Sequence, residues 1–521
     1  MKKILALVVA MLLVLGMTGA FAATIKVGNG GENAATWAGT GPASITVTLP
    51  TPYTQEQLAL GAKNDNVYHI YKVFDATVAN GGISYTVMSG KTGVPTGFTV
   101  DANGYVGHSD ATELTAAEIA AIRTYISGDT PVVTVTTSNE SSFTVNGLEY
   151  GYYFIDTTVG TLVTVNSTNP NASVSDKNEI PPLDKKITGA SSYDAAGLNA
   201  IAQVGTDVEF TVPLTIAKGA KNYSFHDLMT SGLKFNEDVV VYTENPGPKG
   251  TDRSSKAKLT AGTSTYTADY TAGGNGDSAY TFKVDLADEY VAAHENQTLY
   301  FVYSAKVTDD ALTTDPVNNT AWLDYGENPG ENHTPKKTVH VYSAKISVYK
   351  EEEVPEGTTG AVLNDADGKY YKPLAGAGFI LKNADNKYYK FVATDANGDP
   401  IIQWVDAEAD ASQYFSKADG NLDHDFVGLP AGTYTLIEKT VPASYTKAPD
   451  QTITIKPATS TDSDVFTAAN LIQSRTVENK QGSLLPSTGG IGTTLFYVGG
   501  GILVLAAVIL LVTKRRMNAN D

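Results

Sequence analysis

The side chains that most often act as bases, nucleophiles and metal ligands are sparse in this chain. Its 521 residues include no cysteine and seven histidines, which stand singly at positions 69, 108, 226, 294, 333, 340 and 424. Without cysteine the chain can form neither a disulfide nor a thiolate zinc site. The histidines also lack the HExxH spacing of zinc hydrolases. We therefore expect no metalloenzyme, no metal and no cofactor.

Lysine, carboxylate and asparagine side chains are the groups left to do chemistry. Lys and Arg total 37 against 56 Asp and Glu, which gives a formal net charge of −19. A chain this acidic repels a phosphate backbone, so we expect no nucleic-acid binding. With 42% hydrophobic residues it can bury several cores, and its length allows three or four domains of about 150 residues each.

The first 22 residues have the composition of a secretory signal peptide. Lys2 and Lys3 precede an apolar run over 4–15, and Ala20-Phe21-Ala22 places small residues at the two positions that signal peptidase reads. The apolar run is short for a bilayer span. We expect the exported chain to begin near Ala23.

The other end of the chain combines three signals. Leu485-Pro486-Ser487-Thr488-Gly489 precedes an apolar stretch over 491–513, and Lys514-Arg515-Arg516 follows it. Roughly 20 apolar residues cross a bilayer, and the cations keep the tail in the cytoplasm. The arrangement resembles the LPXTG cell-wall sorting signal of Gram-positive bacteria. The resemblance implies that a sortase cleaves after Thr488 and holds its carbonyl as a thioester.

Removal of both ends would leave an acidic protein fixed to the cell envelope. The signal peptide takes away two positive charges and the tail a net two more, so the formal charge of −19 becomes −23.

Between the two ends, short runs alternate apolar and polar residues. Examples are residues 44–49, 132–136 and 451–455, punctuated by turn residues among 48 glycines and 22 prolines. Period-two runs rich in β-branched residues predict strands, and their spacing indicates tandem β-sandwiches of an all-β protein. One helix is predicted after Thr115, which forms a capping box with Glu118.

Proline-rich, polar joints divide the chain. Glu179-Ile180-Pro181-Pro182 favours a stiff connector, and His333-Thr334-Pro335-Lys336-Lys337 precedes the strand that leads into the last block. The predicted divisions are the signal peptide (1–22), block one (23–179), block two (180–341), block three (342–482) and the sorting segment (483–521).

Block three contains the segment PLAGAGFIL over 373–381 and the box LPAGTYTLIE over 429–438. In these motifs it resembles the Cna-type B domains of Gram-positive surface proteins, whose patterns are PLAGAxFxL and LPxGxYxLxE. The predicted first strand over 345–350 and last strand over 477–480 complete the match. Block two opens with Pro182-Leu183-Asp184-Lys185-Lys186-Ile187 and closes with Asn319-Thr320-Ala321-Trp322-Leu323-Asp324-Tyr325. In these segments it resembles, more loosely, the companion Cna A-type domain of pilin subunits. Both resemblances imply immunoglobulin-like sandwiches.

In both families a first-strand lysine condenses with a last-strand asparagine, and a nearby carboxylic acid assists. Carried onto this sequence, the resemblance implies Lys350, Glu438 and Asn479 in block three and Lys185, Asp227 and Asn319 in block two, with Lys186 as the rival lysine. Burial lowers the pKa of a lysine and raises that of a carboxylic acid, so a neutral amine can attack a carboxamide polarised by a protonated acid.

Strand alternation supports the assignment of Glu438 in block three, and a similar tyrosine-to-acid pattern occurs in block one. Tyr434, Leu436 and Glu438 fall on one strand face, which predicts that Glu438 points inward. Residues 152–156 repeat this tyrosine-to-acid pattern, and Lys72, Asp156 and Asn166 would complete a third bond. The opening of block one departs from both family patterns, so a plain hydrogen-bonded sandwich is the alternative.

A lysine at the end of block one is a candidate for joining copies of the chain. Shaft-forming pilins carry an acceptor lysine there, often within a YPKN motif. Here Lys177-Asn178 retains the second half, while Ser175-Asp176 replaces the first half. The resemblance implies that Lys177 attacks the sortase thioester of another copy, and a solvated linker lysine is the alternative.

We expect a structural backbone subunit of a sortase-assembled pilus that supports adhesion and is not an enzyme. The implied partners are other copies of the chain, a sortase, peptidoglycan, host surface ligands and accessory pilins. A monomeric wall-anchored adhesin and an accessory subunit at the tip or base share the same ends and are the alternatives. A wall-anchored hydrolase would need a catalytic cluster that the sequence does not offer.

Overall fold

The computed structural model describes residues 23–26, 34–35, 39–80, 82–108, 114–159, 164–167, 171–311, 315–327, 330, 332–393, 400–482 and 491–517. Only the backbone is described for residues 23–26, 34–35, 164–167 and 491–493. The predicted signal peptide and the LPSTG segment, residues 485–489, lie outside the described residues.

Block one forms strands in which apolar and polar residues alternate, so that each strand can bury one of its two faces. The strands are β1 (Ala23–Lys26), β2 (Ala34–Ala35), β3 (Ala43–Thr48), β4 (Lys63–Ala79), β5 (Gly82–Val87), β6 (Phe98–Val100), β7 (Tyr105–His108), β8 (Val133–Ser138), β9 (Ser142–Leu148), β10 (Gly151–Thr157), β11 (Thr164–Ser167) and β12 (Asn171–Ser175). The sheet β12-β3-β9-β2 packs on the sheet formed by β1, β8, β4, β10 and β11, with Ile45, Ile70 and Phe143 in the core between them.

The long strand β4 also supports a second, smaller core. Its C-terminal half pairs with β5, and helix α2 (Ala116–Tyr125) places Ile122 against Phe74. Thr115 caps this helix through the predicted box with Glu118, so that prediction is confirmed. A second capping box, between Thr54 and Gln57, starts the short helix α1 (Gln55–Ala59), which the sequence analysis did not predict.

Block two is a sandwich of two sheets. Its strands are β13 (Lys186–Gly189), β14 (Ser192–Tyr193), β15 (Asn199–Ile201), β16 (Asp207–Thr215), β17 (Ser224–Met229), β18 (Leu233–Phe235), β19 (Val240–Tyr242), β20 (Tyr266–Asp269), β21 (Phe282–Leu286), β22 (Thr298–Val307), β23 (Val317–Asp324), β24 (Asn332–His333) and β25 (Lys337–Tyr342), with helix α3 (Asp288–Ala293). The order β13-β16-β22-β18 forms one sheet, and β14, β15, β25, β23, β17, β21 and β20 form the other. Phe210, Phe225 and Phe301 fill the space between them.

Block three is a second two-sheet sandwich. Its strands are β26 (Ala344–Val354), β27 (Val362–Asn364), β28 (Lys369–Pro373), β29 (Gly378–Asn383), β30 (Tyr388–Val392), β31 (Ile401–Val405), β32 (Tyr414–Phe415), β33 (Phe426–Leu429), β34 (Gly432–Thr440), β35 (Gln451–Ile455) and β36 (Ile472–Asn479), with helix α4 (Ala468–Leu471). The sheet β27-β28-β26-β33 also holds β36, which runs parallel to β26. The facing sheet has the order β31-β30-β29-β34-β35.

Polar contacts join neighbouring blocks. Asn332 Nδ2 donates to Asn66 Oδ1 at 2.9 Å between blocks one and two, where β24 pairs with β4. Between blocks two and three, Trp404 Nε1 donates to Gln203 Oε1 at 2.8 Å. The boundaries at 179/180 and 341/342 remain predictions, and the pairing of β24 with β4 joins the sheets of blocks one and two.

A long apolar helix, α5 (Ile491–Met517), follows block three at the predicted position. Within residues 494–517, an 18-residue window has a mean hydropathy of 2.7, so the helix is long and apolar enough to cross a membrane. Lys514, Arg515 and Arg516 lie in its last turn. The architecture is therefore all-β with a C-terminal apolar helix, as the sequence predicts.

Candidate functional site: two buried lysine clusters

Lys185 enters the interior of block two because of its place in the strand register. Leu183 bridges to Leu214 and Lys186 pairs with Thr211 across the same strands, so Lys185 points to the opposite side from Lys186. Lys185 is 1% exposed, whereas Lys186 is exposed. The structure therefore brings Lys185, and not its rival, into the core.

The predicted acid and asparagine meet this lysine from the facing sheet. Lys185 Nζ lies 2.6 Å from Asp227 Oδ2. Asp227 pairs with Ala321 across β17 and β23, and Asn319 lies two residues from Ala321, so both side chains share one sheet face. Asp227 and Asn319 are fully buried. The cluster thus lies between the two sheets, with the lysine on one and the asparagine on the other.

Burial controls the protonation of this cluster. It lowers the pKa of Lys185, against the opposing charge of Asp227, and it raises the pKa of Asp227, against the opposing charge of Lys185. The rings of Phe210 and Tyr303 lie 5.1 and 4.9 Å from Nζ, so the surroundings are largely apolar. Both shifts favour a neutral amine beside a protonated acid, which is the pair that amide formation requires.

The Asn319 carboxamide is buried, but its hydrogen-bonding groups are not satisfied. Neither its Oδ1 nor its Nδ2 has a hydrogen-bond partner among the described residues. Its side chain nevertheless lies close enough to Asp227 and Tyr303 to lower the pKa of both groups, against the larger effect of burial. A buried carboxamide without a hydrogen-bond partner destabilises the folded state. Condensation with the lysine would remove this penalty.

Block three buries Lys350 through simple strand alternation. Ile346, Val348 and Lys350 share the inward face of β26. Lys350 Nζ donates to the backbone carbonyls of Glu351 and Val477, both at 2.8 Å. Burial lowers the pKa of Lys350 to about 8, although Glu438 and the other nearby carboxylates oppose that shift.

Asn479 and Glu438 complete the second cluster. Lys350 pairs with Val477 in the parallel register of β26 and β36, so Asn479 follows two residues later on the same face. Glu438 Oε2 accepts from Asn479 Nδ2 at 3.1 Å and from the Ala448 amide at 2.7 Å. Glu438 points inward with Tyr434 and Leu436, as alternation predicts. Here the lysine and the asparagine come from neighbouring strands of one sheet.

Of the three residues predicted for a third bond, the structure places Lys72 and Asn166 opposite Tyr153 on the two strands beside β10, but it does not bring Asp156 to them. Lys72 pairs with Tyr153 across β4 and β10, and Asp156, three residues further along β10, lies on the opposite face. Lys72 Nζ contacts Asp75 Oδ1 at 2.7 Å, whereas Asp156 accepts from Arg123 of α2 at 2.8 Å. The side chain of Asn166 lies outside the described residues. The alternative, a plain hydrogen-bonded sandwich, fits block one better.

Lys177 is exposed at the end of block one, and its two neighbours are anchored. Asp176 accepts from Tyr68 Oη at 2.8 Å and from the Asn178 backbone and side-chain nitrogens at 2.9 and 2.7 Å. Burial raises the pKa of Asp176. Lys177 lines an open groove of about 770 Å³ together with Lys218.

Two features of these sites escaped the sequence analysis. Tyr303 contacts both Lys185 and Asp227, and the only sequence signal for it is its place in the inward row Leu299, Phe301, Tyr303 and Ala305 of β22. In addition, Asn319 is not on the last strand of block two, because β24 and β25 follow β23. Within the described part of the chain, no three His, Asp or Glu side chains converge in a way that would hold a metal ion.

Comparison with known proteins gives two matches to family models. Residues 360–468, inside block three, match the SpaA prealbumin-like fold domain, and residues 477–519 match the LPXTG cell wall anchor motif. The chain carries a SpaA-type domain and an LPXTG cell wall anchor. It is therefore an extracellular protein attached to the cell wall. No curated protein matches the chain.

Several solved structures are similar to the chain at low identity. The pilus 2b backbone protein of group B streptococcus is 22% identical with a TM-score of 0.40, over 58% of this chain and 99% of that one. The RrgB pilus protein of Streptococcus pneumoniae is 16% identical with a TM-score of 0.41, over 87% and 100%. The major pilin SpaA of Corynebacterium diphtheriae is 16% identical with a TM-score of 0.44, over 84% and 100%.

The different burial of two adjacent lysines predicts different effects on stability. In an Asn319→Ala background, which cannot form a cross-link, Lys185→Ala leaves Asp227 buried without its amine. Because the neutral pair loses a buried hydrogen bond, we expect the free energy of unfolding of block two to fall by about 1–3 kcal/mol. Lys186→Ala should change it by no more than about 0.5 kcal/mol. Equal losses in chemical denaturation of the two variants would contradict the assignment of Lys185 to the core.

Proposed function

We propose that this protein is the backbone subunit of a covalent pilus and that Lys185 and Lys350 form internal isopeptide bonds. The observation that carries the proposal is the burial of a lysine, a carboxylic acid and an asparagine together in each of two sandwiches of a wall-anchored chain. Buried lysines are rare unless they are paired. Two such clusters, each with an asparagine beside the acid, favour a chemical role over a purely structural one.

The bond-forming step is the same in both blocks. The neutral lysine Nζ attacks the asparagine Cγ, and the carboxylic acid donates a proton to the carboxamide. The Nζ–Cγ bond forms, the Cγ–Nδ2 bond breaks, and the proton lost by Nζ leaves with Nδ2 as ammonia. Fixed geometry supplies the effective concentration. Each site reacts once, so the chemistry is maturation and not enzymatic turnover.

Polymerisation uses a second acyl transfer. A sortase would hold the Thr488 carbonyl as a thioester, and the Lys177 amine of another copy would displace the sortase cysteine to form an amide. The exposure of Lys177 between two hydrogen-bonded neighbours, Asp176 and Asn178, supports this role. The last copy would pass to a peptidoglycan amine, and the resulting fibre would support adhesion together with accessory pilins.

The internal bonds would protect the fibre under load. A Lys185–Asn319 bond ties the two sheets of block two together, and a Lys350–Asn479 bond ties the parallel strands β26 and β36. A covalent link also restricts the unfolded ensemble, as a disulfide does. The bonds therefore take the place of disulfides in a chain that has no cysteine.

The mass of the mature chain tests the two bonds. We expect it to fall short of the sequence mass by two molecules of ammonia. Asn319→Ala and Asn479→Ala should each recover one of them, because each removes one acceptor carboxamide. Intact-mass spectrometry of chains isolated after export provides the measurement. A full sequence mass for the unsubstituted chain would refute both bonds.

The role of Glu438 is tested by removing its carboxyl group. Glu438→Ala should leave Lys350 and Asn479 unlinked, because no acid remains to polarise the carboxamide. Trypsin should then cut block three, while block two stays resistant. Glu408→Ala is the matched control, since Glu408 lies at the surface beside Lys439. Full linkage of Lys350 in the Glu438 variant would show that another group provides the acid.

The polymerisation lysine is tested by gel electrophoresis of cell-wall extracts after boiling in detergent. Lys177→Arg should abolish the ladder of covalent multimers and leave wall-attached monomer, because arginine stays protonated and cannot attack. Lys218→Arg, in the same groove, should keep the ladder. A ladder that persists in the Lys177 variant would identify another acceptor, and a single band from the unsubstituted chain would favour a monomeric adhesin.

A further inference from the structure

The block-two cluster contains one polar atom beyond the lysine, the acid and the asparagine. The Tyr303 hydroxyl accepts a hydrogen bond from Lys185 Nζ and donates one to Asp227 Oδ2. Tyr303 is 1% exposed. Asp227 Oδ2 thus receives donors from both Lys185 and Tyr303, whereas Oδ1 has no partner in the described part of the chain.

The surrounding core fixes the position of this hydroxyl. Tyr303 lies on β22, directly opposite Phe210 of β16. Its ring centroid is 5.7 Å from that of Phe210 and 5.0 Å from that of Phe282. Packing on both sides leaves the ring little freedom to turn away. The hydroxyl is therefore a preorganised group and not a mobile one.

A neutral amine has two N–H bonds and one lone pair. Asp227 Oδ2 and Tyr303 Oη are acceptors for the two N–H bonds of Lys185. When both are engaged, the lone pair takes the remaining tetrahedral position. We propose that the Tyr303 hydroxyl orients the Lys185 amine so that its lone pair faces the Asn319 carboxamide. Asn319 lies two residues from Ala321, the pairing partner of Asp227, and on the same sheet face as Asp227, which places the carboxamide on the side of this pair.

The reaction consumes nothing from Tyr303. Nζ bonds to Asn319 Cγ, Nδ2 leaves as ammonia, and the proton from Nζ travels through the Asp227 carboxyl to the leaving nitrogen. The tyrosine keeps its own proton throughout. Asp227 Oδ1, which has no other described partner, is the oxygen left to protonate the carboxamide.

In block three, the two N–H bonds of the lysine amine also have acceptors, but these are backbone carbonyls. The two N–H bonds of Lys350 go to the backbone carbonyls of Glu351 and Val477. Backbone carbonyls accept there because Lys350 lies within a strand beside a parallel neighbour. Each site therefore gives the amine two fixed acceptors, and only block two depends on a side-chain hydroxyl for one of them.

Tyr303→Phe keeps the ring and removes the hydroxyl. We expect it to slow formation of the Lys185–Asn319 bond by roughly 10- to 100-fold, and to leave the Lys350–Asn479 bond unchanged in the same molecule. Full-length chain would be pulse-labelled, isolated at successive times and digested. Mass spectrometry then gives the fraction of each branched peptide against its two linear peptides. The rate of formation of the block-three bond is the internal reference.

Two control variants separate orientation from general destabilisation. Tyr223→Phe removes another buried hydroxyl of block two, which accepts from the Ala217 amide at 2.8 Å. Val291→Ala creates a cavity in the same core, on α3, and keeps the Tyr303 hydroxyl. Both should form the bond at the unsubstituted rate, even where melting shows that they are less stable than Tyr303→Phe.

The outcomes distinguish this inference from the proposed function on which it rests. An unchanged rate in Tyr303→Phe, or equal slowing in Val291→Ala, would overturn the role of Tyr303 while the bond itself stands. Absence of the branched Lys185–Asn319 peptide from the unsubstituted chain would overturn the bond, and the role of Tyr303 with it.

Discussion

The burial of a lysine amine against a carboxyl group, inside an apolar sandwich, is the constraint on which the rest of the molecule depends. Keeping either group ionised there would cost several kcal/mol even after relaxation, so burial favours the neutral amine and the protonated acid. Condensation with asparagine would replace the amine and the carboxamide by one neutral amide. The core that makes the charged lysine unfavourable is thus also what would drive its conversion.

The two proposed bonds would serve different mechanical tasks. In block two, Lys185 and Asn319 belong to facing sheets, so a bond would prevent the sheets from separating. In block three, Lys350 and Asn479 belong to adjacent parallel strands at the two ends of the domain, so a bond would prevent the chain from being peeled from either end. Hydrogen bonds from Gln203 to Ile402 and from Trp404 to Gln203 join these two blocks, which would let load pass from one domain to the next in a fibre.

Much of this arrangement could be predicted from the sequence, and the exceptions have physical causes. Period-two alternation gave the inward position of Glu438, because its strand is regular. It could not choose between Lys185 and Lys186, since either register was open until pairing with β16 was known. The same alternation predicted an acid of the Glu438 type at Asp156. There the strand face is covered by α2, and the Asp156 carboxyl group accepts a hydrogen bond from Arg123. Tyr303 lies 118 residues from Lys185, and no local pattern reveals which inward residue of a facing strand meets a given side chain.

Peptide sequencing by tandem mass spectrometry, on material digested directly from cell walls, tests the central claim most directly. The account predicts branched peptides that join Lys185 to Asn319 and Lys350 to Asn479, and a third that joins Thr488 of one copy to Lys177 of another. Free ε-amines on Lys185 and Lys350 in that material would contradict it, whatever the state of Lys177.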